Sequence, residues 1–242
     1  MFIPSPQELL PELTAQQELV LLARSLWREG YDDHIAGHLT YNMGDGTLLC
    51  NPWYLTWEEL HPRELLRIDL QGEVIEGRWP VPPGIPLHLA LHARRPDVQV
   101  AVHHHPRFGT VWADAHRIPP IYDQSSALGG GNLCLVNEYA GAVNDRSNAD
   151  RAIDAMEGSD VALLANHGVF IVANSIRAAH QRAVALEQRR RHAWNVEAMG
   201  GGKSLEGAPI AIFEKSDGNG FTGFMEAAFR AELQRDPGLL LP

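Results

Sequence analysis

The chain has only two cysteines, Cys50 and Cys134, and they form no C-x-x-C pair. Two thiols cannot build a disulfide framework, so the fold must stand on its core, and a reducing cytoplasm is the expected compartment. No apolar run approaches the roughly 18 residues that span a bilayer. The opening "MFIPSPQELLPELTAQQELV" has no basic segment leading into an apolar one, so no signal peptide is expected. Positive charge is scarce too: the 242 residues carry a net charge of −10, which argues against binding nucleic acid or an anionic membrane through charge neutralisation. The one local basic run, "EQRRRH" (Glu187 to His192), reads as the solvated face of a helix. Internal repeats and low-complexity linkers are absent. At 45% hydrophobic and 21% charged residues, the composition is that of a globular protein able to bury a substantial core.

What is present alternates between helical and extended patterns. "LTAQQELVLLARSLWREG" (Leu13 to Gly30) places Leu19, Leu22, Ala23, Leu26 and Trp27 on one helical face, with Thr14 as N-cap and Gly30 as stop. Two strands around Gly-Asp-Gly follow, then a hairpin from Leu65 to Gly77 turning at Gln71-Gly72. Ile85 to Val98 has helical spacing that ends before Pro96, and "VQVAVHHH" reads as a buried strand. "DRSNADRAIDAMEGSD" is a helix, and "VALLANHGVFIVA" (Val161 to Ala173) is a strand pair broken at Asn166-His167-Gly168. A long amphipathic helix from Ser175 to Gly202 and a final helix complete the chain. Strands mixed with helices throughout predict an α/β fold with a mixed sheet. We expect a single domain over residues 1–242, with a helical extension from about residue 203.

Twelve histidines stand out, three of them consecutive. Side chains alternate along a strand, so His103 and His105 face one side and His104 the other. Imidazoles at i and i+2 can converge on one ion, but a catalytic metal of the zinc type needs three protein ligands. His167 is the best third candidate, since a polar triplet between two buried apolar runs requires a partner. Capping histidines bonded to backbone would give the same pattern, and spacing alone leaves both readings open.

"RPDVQVAVHHHPRFGTVWA", "LLANHGVFIV" and the preceding "DLQGEVIEG" hairpin together resemble the class II aldolase/adducin family. "GHLTYN…GDGTLLCNPW" is similar to its N-terminal segments, in the adducin-type variant, and the resemblance spans roughly residues 15 to 210. It implies a three-layer α/β/α sandwich around a mixed, largely antiparallel sheet. It also implies a homotetramer with active sites between subunits. The same resemblance implies one divalent metal per subunit, held here by His103, His105 and His167. Zinc is the first choice, with iron, manganese or cobalt as alternatives, and His104 has no such role.

The departures from the family shape the reading. Its sugar-phosphate aldolases carry Ser-Ser-Glu before a helical histidine, and the glutamate is an acid/base. Here "PPGIPLH" puts Pro82 and Pro83 at the serines and Gly84 at the glutamate. His38 replaces an asparagine that contacts phosphate, and Trp53-Tyr54 replaces a small polar loop. A phosphate dianion needs several donors; proline has no N–H and tryptophan only one. A flat, apolar or aromatic substrate body is therefore expected against His38, Trp53 and Tyr54, although the two aromatics read equally as core or interface residues. In "IPPIYDQSSALGGG", Tyr122 and Asp123 match the segment that delivers a proton donor or acceptor from a neighbouring subunit. His88, on the helix after the lost glutamate, is a third acid/base candidate. Arg107 is a candidate partner for a substrate carboxylate.

A three-histidine metal is a Lewis acid able to stabilise the electron pair left by C–C cleavage. Retro-aldol cleavage needs a base as well as a proton shuttle, whereas decarboxylation needs only one proton returned. The missing glutamate therefore favours decarboxylation of a small non-phosphorylated, hydroxyaromatic acid. Aldol cleavage of a small hydroxy-carbonyl compound is the alternative. An Fe(II) oxygenase and a non-catalytic adducin-like module rank after it.

Overall fold

The computed structural model describes residues 5–128, 132–137, 145–206 and 223–241. Gly129 to Gly131 of the "LGGG" turn lie outside the described residues. The strands are β1 (His38–Asn42), β2 (Thr47–Cys50), β3 (Leu66–Asp69), β4 (Val74–Glu76), β5 (Val100–His104), β6 (Leu133–Val136), β7 (Val161–Leu164) and β8 (Gly168–Ala173). The helices are α1 (Ala15–Arg28), α2 (Ile85–Arg94), α3 (Arg107–Asp114), α4 (Arg146–Ala155), α5 (Ile176–Ala198) and α6 (Phe224–Arg235). One sheet runs in the order β4-β3-β2-β1-β5-β8-β7-β6. Every neighbouring pair is antiparallel except β6 with β7. The expected mixed, largely antiparallel sheet is what forms.

Side-chain alternation separates two apolar layers. Val100 and Val102 of β5, Val161 and Leu163 of β7, and Val169 and Ile171 of β8 pack under α1, α3, α5 and α6. Ala101, Ala162, Leu164, Phe170 and Val172 pack under α2 and α4 on the opposite face. The result is an α/β/α sandwich with helices on both sides of the central strands.

α1 starts at a capping box: the Thr14 hydroxyl accepts from the Gln17 N–H while the Gln17 side chain accepts from the Thr14 N–H. Its middle is not one-faced, because Leu19 through Leu26 are all buried between the sheet, α5 and α6. α6 inserts Met225 and Phe229 into the same core. It is also held by Arg24 and Arg28, at 3.6 and 3.3 Å from the buried Glu232 carboxylate, and by the ion pair of Arg177 with Glu226. Buried carboxylates persist only with such partners.

Two elements are absent from the sequence reading, α3 and β6. α3 has only eight residues, including Gly109, Thr110 and Val111, which are weak helix formers. Its N-terminal N–H groups are satisfied from a distance: Phe108 and Gly109 donate to the Glu187 carboxylate on α5, at 2.7 and 2.9 Å. This also corrects the reading of "EQRRRH" as a solvated face. Glu187 caps α3, Arg190 is fully buried between α5 and α3, and of the run's arginines only Arg191 is exposed. Among the described residues, no helix is long and apolar enough to cross a membrane.

Candidate metal centre

Three periodicities converge at one place. β1 and β5 pair so that His38 lies opposite His103. Alternation puts Thr40 on the His38 face, and Ala101 and His103 on the α2 side of β5. On α2, residues 84, 88 and 92 recur every four positions, so Gly84, His88 and His92 line the helical stripe above those strands.

His103 and His105, at the end of β5, meet His167 from the β7–β8 turn. Their ligand atoms all lie within 4.8 Å of one another. Ring centroids are 5.1 Å apart for His103 and His105, 4.8 Å for His103 and His167, and 5.0 Å for His105 and His167. The "NHG" triplet has a local explanation. Asn166 takes φ 53°, a left-handed conformation asparagine tolerates, and its side-chain nitrogen lies 2.9 Å from Nε2 of His116. Gly168 is required because a Cβ there would lie 2.6 Å from the His104 carbonyl oxygen and 2.6 Å from the His105 ring. Removing that side chain lets the end of β5 close on the turn that carries His167.

The cluster fits a cation. Nδ1 of His105 lies 2.9 Å from the Asp33 carboxylate, so Nε2 is left as its free nitrogen. That Nε2, like Nδ1 of His103, is buried with no hydrogen-bond partner among the described residues. A buried ring nitrogen without a partner is costly, and a bound cation removes the cost. A carboxylate behind a histidine fixes the tautomer and raises ligand basicity. Burial, with the neighbouring histidines, holds His103 well below the usual histidine range, and burial brings His167 to about 4. Neutral imidazoles are the form a metal binds. Asp33 was missed in the sequence, where "YDDH" is a loop without periodicity.

His104 faces the other way, as expected, but it is not idle. It is fully buried, stacks edge-on against Trp57 with centroids 4.6 Å apart, and accepts a hydrogen bond from the His105 N–H through Nδ1 at 2.8 Å.

The remaining candidates fall into separate places. His38 lies beside His103, with ring centroids 4.5 Å apart. His88 is fully buried one layer behind, its Nε2 2.8 Å from Nδ1 of His38 and its Nδ1 2.8 Å from the Thr40 hydroxyl. The Thr40 hydroxyl lies 2.9 Å from Nε2 of His92. Thr40 and His92 were not singled out in the sequence, although their spacings from His38 and His88 were legible there. Gly84 explains itself structurally: a Cβ at this position would lie 2.0 Å from Nε2 of His38. The imidazole of residue 38 thus fills the place that Gly84 leaves open.

Trp53 is half-buried and its main-chain N–H donates to the Pro80 carbonyl at 2.8 Å, which ties the Trp53-Tyr54 loop to the segment leading to Gly84. Tyr54 is 61% exposed with φ 79°, a strained conformation for a tyrosine. The two rings lie 6.2 Å apart. Arg107 opens α3 and lines a separate cleft with Trp27, Asp32, Glu187 and Arg191. Tyr122 packs half-buried against the α1–α5 core. Asp123 is engaged within its own chain: its carboxylate lies 2.7 Å from Nδ1 of His192 and accepts from the Ser126 N–H and hydroxyl. Burial opposes its ionisation, but the bonds from Ser126 and His192 prevail and hold it below the usual carboxylate range. Neither Tyr122 nor Asp123 reaches the histidine cluster of this chain by any of these contacts.

Comparison with known proteins identifies the family. Residues 17–193 match the family model for the class II aldolase and adducin N-terminal domain. The 5-methylthioribulose-1-phosphate/5-deoxyribulose-1-phosphate aldolase of Rhodospirillum rubrum is 34% identical over 73% of this chain and 78% of its own. The 3,4-dihydroxyphthalate decarboxylase of Arthrobacter keyseri is 28% identical over 91% of this chain and 93% of its own. Among solved structures, an L-fuculose 1-phosphate aldolase from Glaciozyma antarctica superposes with a TM-score of 0.79 at 21% identity, covering 96% of each chain, a likeness of fold. The chain belongs to the class II aldolase/adducin family.

Proposed function

We propose that the protein is a metal-dependent carbon–carbon lyase that decarboxylates a small, non-phosphorylated hydroxyaromatic acid. The observation that carries this reading is the exchange at Gly84: glycine stands where the family has its glutamate, and the His38 imidazole fills the space a side chain there would need, beside three histidines suited to one cation. His103, His105 and His167 hold one divalent ion per subunit, zinc in the first instance. When bound, that ion acts as a Lewis acid for the substrate's oxygen atoms. Asp33 fixes the His105 ring through Nδ1. Trp53 and Tyr54 cover a flat substrate body, and the strained, exposed Tyr54 is consistent with a surface kept for a ligand rather than for packing. Pro82 and Pro83 leave few N–H donors for a phosphate.

The alignment with the 3,4-dihydroxyphthalate decarboxylase supports this choice because it extends over nearly the whole of both chains. The subunits form a homotetramer in which Tyr122 and Asp123 face the neighbouring site. Aldol cleavage is the second reading, favoured by the 34% identity to the Rhodospirillum rubrum aldolase. The complete histidine set speaks against a non-catalytic module.

The test is to load the purified protein with zinc, manganese or iron and supply 3,4-dihydroxyphthalate or 5-deoxyribulose 1-phosphate. Carbon dioxide release from the first, without oxygen uptake, is the expected result. Aldehyde release from the second alone would replace decarboxylation by aldol cleavage, and oxygen uptake with iron would make the protein an oxygenase.

A further inference from the structure

The lyase reading leaves one group without an owner, the one that moves the proton. We infer that His38 is that group, in the place of the family's glutamate, and that His88, Thr40 and His92 position it. The inference rests on the lyase reading for its chemistry and on the interior of the α2 face for its geometry.

His38 lies directly opposite His103 in the β1–β5 pairing, with the two rings 4.5 Å apart. Its Nε2 faces residue 84, where even one added carbon would stand 2.0 Å away. Glycine at 84 and histidine at 38 are therefore one device, since any side chain at 84 would displace the ring. The opposite edge of the ring is fixed. Nδ1 meets Nε2 of His88 at 2.8 Å, Nδ1 of His88 meets the Thr40 hydroxyl at 2.8 Å, and that hydroxyl meets Nε2 of His92 at 2.9 Å. All four residues are buried.

Such a chain has a direction. A neutral imidazole has one N–H and one lone pair, and a threonine hydroxyl has one proton to give. If Nδ1 of His38 donates, every later link points the same way and Nε2 shows its lone pair. If Nδ1 accepts, every link reverses and Nε2 carries the proton. Each arrangement consists of four neutral groups, and passing from one to the other takes a proton in at Nε2 of His38 and one out at Nδ1 of His92, so a proton held at His38 in between gives the chain one positive charge.

The proton then has a closed path. The bound acid gives its hydroxyl proton to Nε2 of His38. The bond to the carboxyl carbon breaks, its electron pair stays on the ring carbon, and carbon dioxide leaves. Nε2 returns its proton to that carbon and keeps the bonding pair. The substrate oxygen takes a proton from water as the product departs. In the interval His38 holds the extra proton, and its hydrogen bond to His88 keeps the ring in place.

The experiment uses the full-length protein loaded with zinc, with 3,4-dihydroxyphthalate as the probe. His38→Asn keeps an N–H directed at His88 but has no second ring nitrogen. It is expected to retain zinc and KM, to lose turnover by about 100-fold or more, and to recover part of it in free imidazole. Thr40→Val fills the same volume and cuts the chain. It is expected to lower kcat by roughly tenfold with KM unchanged, and to change the His38 tautomer in the ¹⁵N spectrum of the resting protein, assigned by its loss in His38→Asn. Full turnover in His38→Asn would overturn the inference while leaving the lyase reading intact. If the wild type cleaves neither 3,4-dihydroxyphthalate nor 5-deoxyribulose 1-phosphate, the lyase reading falls by itself, and the resting spectrum decides the rest. A His38 tautomer unmoved by Thr40→Val then overturns the positioning chain, and a shifted one sustains it.

Discussion

Replacing Gly84 by alanine tests the Gly84–His38 device with the smallest perturbation available, one methyl group. The backbone at Gly84 has φ −83°, open to alanine, so strain in the main chain does not enter. The new carbon would lie 2.0 Å from Nε2, 2.6 Å from Cε1 and 2.9 Å from Cδ2 of His38. Ordinary contact needs 3.5 Å or more, so the ring must retreat by roughly an ångström or more. It has nowhere free to go: His38 is 4% exposed, with His88 and His103 beside it. Overpacking of this kind costs about 1–3 kcal/mol. Breaking the bond to His88, which leaves a buried nitrogen unpaired, costs about 1–3 kcal/mol more. At roughly 2–4 °C per kcal/mol for a chain of this size, the melting temperature should fall on the order of 10 °C. The assay is thermal unfolding at saturating zinc, with metal content and turnover measured on the same samples. His38→Ala in the Gly84→Ala background removes the clash, so the double variant should be less destabilised than the sum of the singles, by at least about 1 kcal/mol. Additive losses, or a Gly84→Ala protein that melts and turns over like the wild type, would refute the reasoning.

Asp33→Asn keeps the shape but weakens the hold on Nδ1 of His105, so zinc affinity measured by competition with a chelator should drop about 10–100-fold; unchanged affinity would remove Asp33 from the site. His104→Ala should keep one zinc per chain yet lose about 3 kcal/mol of stability or more, as a buried aromatic truncation does; loss of zinc with stability intact would reverse its assignment. His180 supplies a pH test. Both its ring nitrogens are buried without hydrogen-bond partners among the described residues, and burial pushes its pKa down to about 4, with Glu226 opposing and Arg177 reinforcing. The unfolded chain takes up a proton near pH 6.5 and the folded one only near 4, so stability should fall as pH drops through that window. The loss amounts to about 1.4 kcal/mol per pH unit, on the order of 3 kcal/mol in all. His180→Leu should flatten this slope in denaturant titrations between pH 7 and 4, and an unchanged slope would refute the assignment.

Much of the fold was legible because local patterns and tertiary demand agree. The period-two run ending in His103 to His105 is β5, the Gly-Asp-Gly turn joins β1 to β2, and the Pro96 boundary ends α2. α3 was hidden because its cap is supplied by Glu187, 79 residues away from Phe108. The basic run before His192 was misread for the same reason. Charge pattern alone says solvent, whereas packing against Gly109 and the capping role of Glu187 put Arg190 and Glu187 inside.

The sequence by itself determined that His103 and His105 share a face, since strand alternation is local geometry. The family's motifs likewise named His167 and marked the glutamate position as Gly84. Only the tertiary structure decided what fills that gap. The imidazole comes from β1, 46 positions earlier in the chain, and it is held there by His88 of α2, which Thr40 of β1 fixes in turn. The same is true of Asp33 behind His105. A hydrogen bond acts over about 3 Å in space whatever the separation in sequence. A one-dimensional pattern therefore gives the residue types, and the sheet register and helix docking decide which of them meet.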